Sequence, residues 1–206
     1  MKDPKVKNII FDLGNTLIFF DFAYFYDGLK NIEKNLNIHA FRRYIIKNKL
    51  GDKLCTGRIT FAHYFKILKK KFKLQTSYAD FKCLYSDIFW ENKEMHKFLS
   101  EVSQKKRRYK IFLFSNTDAA HINYIYHNFP FIKHIRNKFL SFKVNSLKPE
   151  KKIFRIFLDR YKVIPEECVF IDDMRPNIKT IQAMNFNAIH YKSHKKFLRE
   201  FTKLVG

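Results

Sequence analysis

Three aspartates and a Ser-Asn pair close apolar runs of this sequence, and a lysine stands before a proline at a predicted helix start. Asp12 follows "NIIF", Ser115 and Asn116 close "YKIFLFSN", Asp172 and Asp173 close "ECVFIDD", and Lys148 precedes Pro149. Several carboxylates, with few nearby glycines to cradle phosphate, suit a hard cation. Mg²⁺ takes one or two carboxylates together with waters and phosphate oxygens. A carboxylate can attack phosphorus, a hydroxyl and backbone N–H groups can hold phosphoryl oxygens, and a lysine can neutralise developing charge. The chemistry open to such a set is phosphoryl transfer, with Asp12 attacking, Ser115 binding and Lys148 compensating charge. Each residue also has a plainer reading alone. Asp12 could form a strand-end turn, Ser115 could cap a helix, and Asp172 or Asp173 could cap the helix that follows. Lys148 is one of many lysines, and only its place before Pro149 singles it out.

The set can act together only if a fold brings these ends to one rim. "VKNIIFDL", "YKIFLFS", "KFLSFK", "ECVFID" and "NAIHY" read as strands. They alternate with helical stretches: "ENKEMHKFLSEVSQKK", with Met95, Phe98, Leu99 and Val102 on one face, then "DAAHINYIYHNF", "PEKKIFRIFLDRYK" opening on Pro149, "PNIKTIQAMNF" and "KKFLREFTKL". Such alternation predicts an α/β fold, a parallel sheet with helices on both faces, which binds ligands beyond the carboxyl ends of its strands. Phe22 to about Trp90 interrupts the pattern. It reads as helical with no convincing strand. In "GRITFAHYFKILKKKF", Phe61, Tyr64, Phe65 and Leu68 recur at helical spacing and Thr60 is a candidate N-cap.

Composition narrows the partners. The chain is 46% hydrophobic with 24 Phe and 11 Tyr, so the core is expected to be aromatic. Its formal charge is 41 − 19 = +22. Lys is abundant together with Asn, Ile, Phe and Tyr while Gly numbers only 5, which fits a coding bias better than a polyanion partner. The field would still draw phosphorylated ligands into a cleft. "KKK" at 69–71 and "KKRR" at 105–108 fall at the ends of predicted helices, where cations complement the dipole, and read as solvated faces. Nucleic acid is therefore not expected as a partner. Cys55, Cys83 and Cys168 lie far apart without metal spacing, which predicts a reduced compartment. Asp12 and Asn15 interrupt the apolar run near the N-terminus, no small-residue cleavage site follows, and no segment suits a bilayer, so a cytoplasmic protein without a membrane partner is expected. The eight histidines show no metal spacing and read as non-catalytic.

"FDLGNTL", "LFSNT", "LKP" and "VFIDDMRPN" resemble, in order, the four motifs of the haloacid dehalogenase-like (HAD) superfamily. The helical insertion after the first motif resembles that family's cap. The resemblance covers nearly the whole chain, and four ordered motifs are far more specific than one. It implies a Rossmann-like core of residues 1–19 and 91–206 and a helical cap of residues 20–90. It further implies that Asp12 forms an aspartyl-phosphate, that Ser115 with Asn116 binds the transferring phosphoryl group, and that Lys148 holds Asp12 and the phosphate. Asp173 would bind Mg²⁺ directly and Asp172 through a water or a supporting bond, with Asp12 and the carbonyl of Gly14 completing the set. The implied substrate is a small phosphorylated metabolite.

One position departs from that pattern. Most phosphatases of the superfamily carry a second aspartate two residues after the nucleophile, which protonates the leaving oxygen and then activates water. Here that residue is Gly14. The chain resembles the subgroup whose first motif reads "FDLGN", which includes glucose-1-phosphate phosphatases and places an aspartate shortly after the motif, as Asp21 stands here. The first reading is thus a phosphatase of readily leaving groups, sugar phosphates foremost, in which Asp21 or a substrate group partly replaces the acid. A dehalogenase would also lack the acid, but it has no use for Asp172-Asp173. The alternative is a non-catalytic relative that binds or regulates.

Overall fold

The chain's first strand, β1 (Asn8–Phe11), is buried along its whole length, which its run of Ile9, Ile10 and Phe11 requires. The computed structural model describes residues 6–104 and 108–205. After β1 come β2 (Ile18–Phe20), α1 (Phe22–Ile32), α2 (Ile38–Lys47), α3 (Leu50–Cys55), α4 (Phe61–Phe72), α5 (Tyr78–Ser86) and β3 (Phe89–Glu91). Then follow α6 (Lys93–Gln104), β4 (Lys110–Ser115), α7 (Ala119–Asn128), β5 (Asn137–Leu140), α8 (Lys151–Tyr161), β6 (Cys168–Asp172), α9 (Arg175–Gln182), β7 (Asn187–His190) and α10 (His194–Val205).

Five strands form one parallel sheet in the order β5-β4-β1-β6-β7. Alternate side chains leave opposite faces. Ile9, Phe11, Leu113, Val169 and Ile171 pack with Met95, Leu99, Ile125 and Phe197 of α6, α7 and α10. Ile10, Phe112, Phe114, Phe139 and Phe170 pack with Phe154, Phe157 and Ile181 of α8 and α9. Helices on both faces explain why the strands read as continuous apolar runs. The aromatic core is real: the Phe114 ring lies 4.7 Å from Phe139, 5.2 Å from Phe157 and 5.6 Å from Phe170, centroid to centroid. Truncating such a residue to alanine costs about 3–5 kcal/mol.

The α1–α5 segment builds a second cluster around Phe25, Phe41, Phe61, Phe65 and Phe81. Its helices start where the side chains allow: Asp21, Asn37, Thr60 and Ser77 each accept from a first-turn N–H. The expectation of no strand between Phe22 and Trp90 fails at its end. β3 pairs antiparallel with β2, placing Phe20 opposite Phe89 and Phe19 opposite Trp90. Three-residue strands show no period, and this pairing exists only because the two ends of the segment meet in space. Two smaller differences follow the same logic. "KFLSFK" is strand only to Leu140 and then turns through a 3₁₀ helix, Ser141–Lys143. Pro149 precedes rather than opens α8, whose first residue is Lys151, and the Lys148–Pro149 peptide is cis.

The helical segment meets the sheet at loops beyond the carboxyl ends of β4 and β5. Ser141 Oγ donates to the Cys55 carbonyl at 2.6 Å, and Arg58 Nε donates to Asn145 Oδ1 at 3.1 Å. Gly57, at φ +71°, packs so closely that a Cβ there would stand 2.3 Å from the Phe142 carbonyl oxygen. Among the described residues no helix is long and apolar enough to cross a membrane. The lysines at 69–71 close α4, whereas 105–107 of the "KKRR" run lie outside the described residues.

Candidate active site

The parallel register puts the ends of β1, β4 and β6 side by side, because Phe11 lies level with Leu113 and Ile171. The next residue after each apolar run is then polar and on the same rim. Asp12 follows β1, with its N–H donating to the Ile171 carbonyl at 2.9 Å. Ser115 ends β4, and Asp172 ends β6.

Lys148 reaches this rim from the loop before α8. Its Nζ lies 2.7 Å from Asp12 Oδ1, 2.6 Å from Asp172 Oδ2 and 3.2 Å from the Phe114 carbonyl. The ammonium also sits over the Phe114 and Phe170 rings, at 5.6 and 5.4 Å. Burial alone would push the lysine down, but the two carboxylates outweigh it and its pKa is raised. One cation is thus shared by two buried anions, and Asp173 stands next to them. Burial drives Asp12 up to about 7, Lys148 pulls it down, and Asp172 raises it again. Asp173 is also raised, by burial and then by Asp172.

Carboxylate oxygens of Asp12, Asp172 and Asp173 lie within 4.8 Å of one another. Three carboxylates against one lysine leave a net charge of −2 when all are ionised. The donor set is all oxygen, which suits a hard divalent cation such as Mg²⁺. The Asp172 carboxylate is the most engaged. It accepts from Lys148, from the Met174 N–H at 2.8 Å, and from Asn177 Nδ2 at 2.9 Å to each oxygen. Asp173 is half-buried. The Asn15 side chain, carried by a left-handed turn at φ 50°, offsets part of the rise in Asp173.

The other residues of interest fall as follows. Ser115 is buried at the end of β4 but does not cap α7, whose N-cap is Asp118. Asn116 turns its carboxamide to the backbone of Lys148: Nδ2 donates to the Lys148 carbonyl and Oδ1 accepts from the Lys148 N–H, both at 2.9 Å. Its side chain therefore fixes the lysine. Gly14 lies in the turn after Asp12, bridged to Ile18. Asp21 does not join the cluster; it is exposed, and its carboxylate caps α1 by accepting from the Ala23 N–H at 2.8 Å. Asn177 braces Asp172. Its place in the first turn of α9, five residues after that aspartate, was the available signal. Asn15 had one too, as the turn residue after Gly14.

A second buried polar cluster links the helical segment to the sheet. Tyr85 OH donates to Asp118 Oδ2 at 2.9 Å, and His121 Nδ1 lies 2.9 Å from the same oxygen. His121 Nε2 faces the Tyr85 carbonyl at 2.9 Å. Both ring nitrogens of His121 thus face groups that only accept, the Asp118 carboxylate and the Tyr85 carbonyl. Burial raises Asp118, but His121 and the hydrogen bonds from His121 and Tyr85 outweigh it and bring its pKa down.

With the rim in place, comparison with known proteins is decisive. The sequence profile of the haloacid dehalogenase-like hydrolases matches residues 6–185. The chain belongs to this family. Among its relatives is the D-ribitol-5-phosphate phosphatase of Bacteroides thetaiotaomicron, 22% identical over 98% of this chain and 99% of that protein. A stretch of 66 residues is 36% identical to bifunctional epoxide hydrolase 2 of Rattus norvegicus, spanning 32% of this chain and only 12% of that protein. In fold, a HAD family enzyme of Bacteroides thetaiotaomicron superposes with a TM-score of 0.79 at 22% identity, covering 95% of this chain and 98% of that one. Its wild-type complex with magnesium and inorganic phosphate gives 0.73 at 22% identity, over 91% and 94% of the two chains. The matched span includes Asp12, Ser115, Lys148, Asp172 and Asp173.

Proposed function

We propose that this HAD-like hydrolase is a Mg²⁺-dependent phosphatase of a small phosphorylated metabolite, with sugar phosphates first. The observation that carries the reading is the shared cation: Lys148 bridges Asp12 and Asp172 at 2.7 and 2.6 Å, with Asp173 alongside. The relatives support it, since one is a D-ribitol-5-phosphate phosphatase and one similar fold holds magnesium with inorganic phosphate.

Asp12, Asp173 and the Gly14 carbonyl would hold the metal, with Asp172 supporting it. When bound, Mg²⁺ withdraws charge from the phosphoryl oxygens and offsets the anionic excess of the rim. Asp12 is the nucleophile: one of its oxygens bonds to phosphorus as the bond to the leaving oxygen breaks. Ser115 and the backbone N–H groups after β4 hold the phosphoryl oxygens. Lys148 orients Asp12 and compensates the charge that builds in transfer, while Asn116 and Asn177 fix Lys148 and Asp172. Water then attacks the aspartyl-phosphate, releasing inorganic phosphate and restoring Asp12. The helical segment 20–90 acts as a cap, a role supported by its contacts with the loops beyond β4 and β5. No acid at residue 14 assists these steps.

The test is Mg²⁺-dependent phosphate release from an anomeric sugar phosphate, an acyl phosphate, a sugar 6-phosphate and a nucleotide, with Asp12→Asn as control. Turnover that the control loses is the expected result. No turnover on any of them, with magnesium and phosphate still bound in a titration, would favour the second reading, a binding protein on the same fold. The glycine at residue 14 is the observation on that side.

A further inference from the structure

Gly14 is not held as glycine by its backbone. Among the described glycines only Gly57 has a positive φ, so residue 14 lies in a region open to any L-amino acid. What stands in the way is a ring. A Cβ at residue 14 would lie 2.6 Å from Phe20 Cε1, 3.2 Å from Cδ1 and 3.7 Å from Cζ. The ring is braced: Phe20 pairs with Phe89 across β2 and β3, and its centroid lies 6.1 Å from Phe89 and 6.0 Å from Phe22. The space beside Gly14, two residues from the nucleophile, is therefore filled by apolar carbon. The next carboxylate after it in sequence, Asp21, is turned to the start of α1.

We propose that Phe20 sets the leaving-group specificity of this site. Its ring excludes any proton donor from residue 14, and so restricts the substrates to phosphates whose leaving oxygen departs as a stable anion. Acyl phosphates and phosphates on anomeric or aryl oxygens form that class; simple alkyl phosphates lie outside it. The inference rests on Asp12 being the nucleophile. The Asp12 oxygen forms its bond to phosphorus, and the leaving oxygen keeps the electron pair of the broken bond. That oxygen takes its proton afterwards from water. A general acid at such a step is worth about 10²–10⁴-fold, and the gain is largest for the most basic leaving groups.

The experiment measures kcat/KM for acetyl phosphate, a series of aryl phosphates from nitro-substituted to unsubstituted phenols, and glycerol 3-phosphate, with Mg²⁺. The wild type is expected to slow steeply as the leaving group becomes more basic. Gly14→Asp alone is expected not to raise the ratio of alkyl to acyl phosphate turnover. Gly14→Asp with Phe20→Ala is expected to raise that ratio about 10²-fold. Phe20→Ala alone opens the space, so added formate should raise glycerol 3-phosphate turnover there and not in the wild type; this arm holds even if the double variant fails to fold. A wild-type rate independent of the leaving group, or a full gain from Gly14→Asp alone, would overturn the role of Phe20 while leaving the phosphatase intact. No turnover of any of these phosphates by folded wild type would overturn both.

Discussion

The rim and the junction each bury carboxylate beside a basic side chain, yet their aspartates move in opposite directions. Burial pushes Asp12 and Asp118 alike toward the neutral form. At the junction one carboxylate meets the His121 ring and a tyrosine hydroxyl, so Asp118 is brought below the ordinary range. At the rim, Asp12 and Asp172 share the single ammonium of Lys148 and Asp173 adds a third charge, so the rise that burial drives is not fully offset and Asp12 stands at about 7. A balanced cluster completes its own electrostatics and serves to join two parts of the chain. An unbalanced one is finished only by something that arrives. Excess charge, rather than burial, separates the candidate active site from a structural joint.

The comparison breaks most visibly at Lys148. Lys148→Met should leave two buried carboxylates without their cation and lower kcat by about 10²–10³-fold, read by phosphate release on the best substrate of the panel. Next in size is the contrast in stability between two isosteric changes. Asp118→Asn should cost about 3 kcal/mol, because it takes a buried acceptor oxygen away from Tyr85 OH and His121 Nδ1 together. Asp12→Asn should instead stabilise the metal-free protein by about 1 kcal/mol, since it removes one of two anions competing for Lys148. Urea unfolding in EDTA measures both, and equal costs at the two sites would remove the distinction.

The pH dependence should also differ in sign. The folded pKa of Asp118 lies below its unfolded value. Its contribution is therefore present above about pH 4 and lost as pH falls through the lower folded value. The folded pKa of Asp12 lies above its unfolded value, at about 7. Its contribution is present below about pH 4 and is lost as pH rises toward that value. Unfolding free energies of wild type, Asp12→Asn and Asp118→Asn between acid and neutral pH, without metal, test this. Added Mg²⁺ should offset the loss on the rim alone. Smallest is Tyr85→Phe, which removes one hydrogen bond of the junction and should cost about 1 kcal/mol in the same assay without changing the response to Mg²⁺.

Much of the site was legible before any fold was known. Asp12, Ser115 and Asp172-Asp173 each announced themselves by a polar type beside an apolar run, which the parallel register then aligned, and Lys148 by its place before Pro149. The junction was not legible. Asp118 and His121 are three apart at the start of α7 and visible as a pair, but Tyr85 lies 33 residues from Asp118 and comes from another part of the chain. His121 accordingly read as one unremarked histidine. Asn116 read as a phosphate ligand, and only its distance to the Lys148 backbone shows what its side chain holds. Asp21 stood in the right place in sequence to replace a missing acid, and a helix start in space claimed it.

The sequence by itself determined the strand-helix alternation, the aromatic core and the polar residue at each strand end, because hydrophobic period and turn chemistry are local properties. It also determined that residue 14 has no side chain. Tertiary structure alone decided which charges share Lys148, which aspartate is raised and which lowered, and that the Phe20 ring fills the space beside Gly14. These depend on distances between residues remote in the chain, and the electrostatics of buried groups follow those distances rather than residue type.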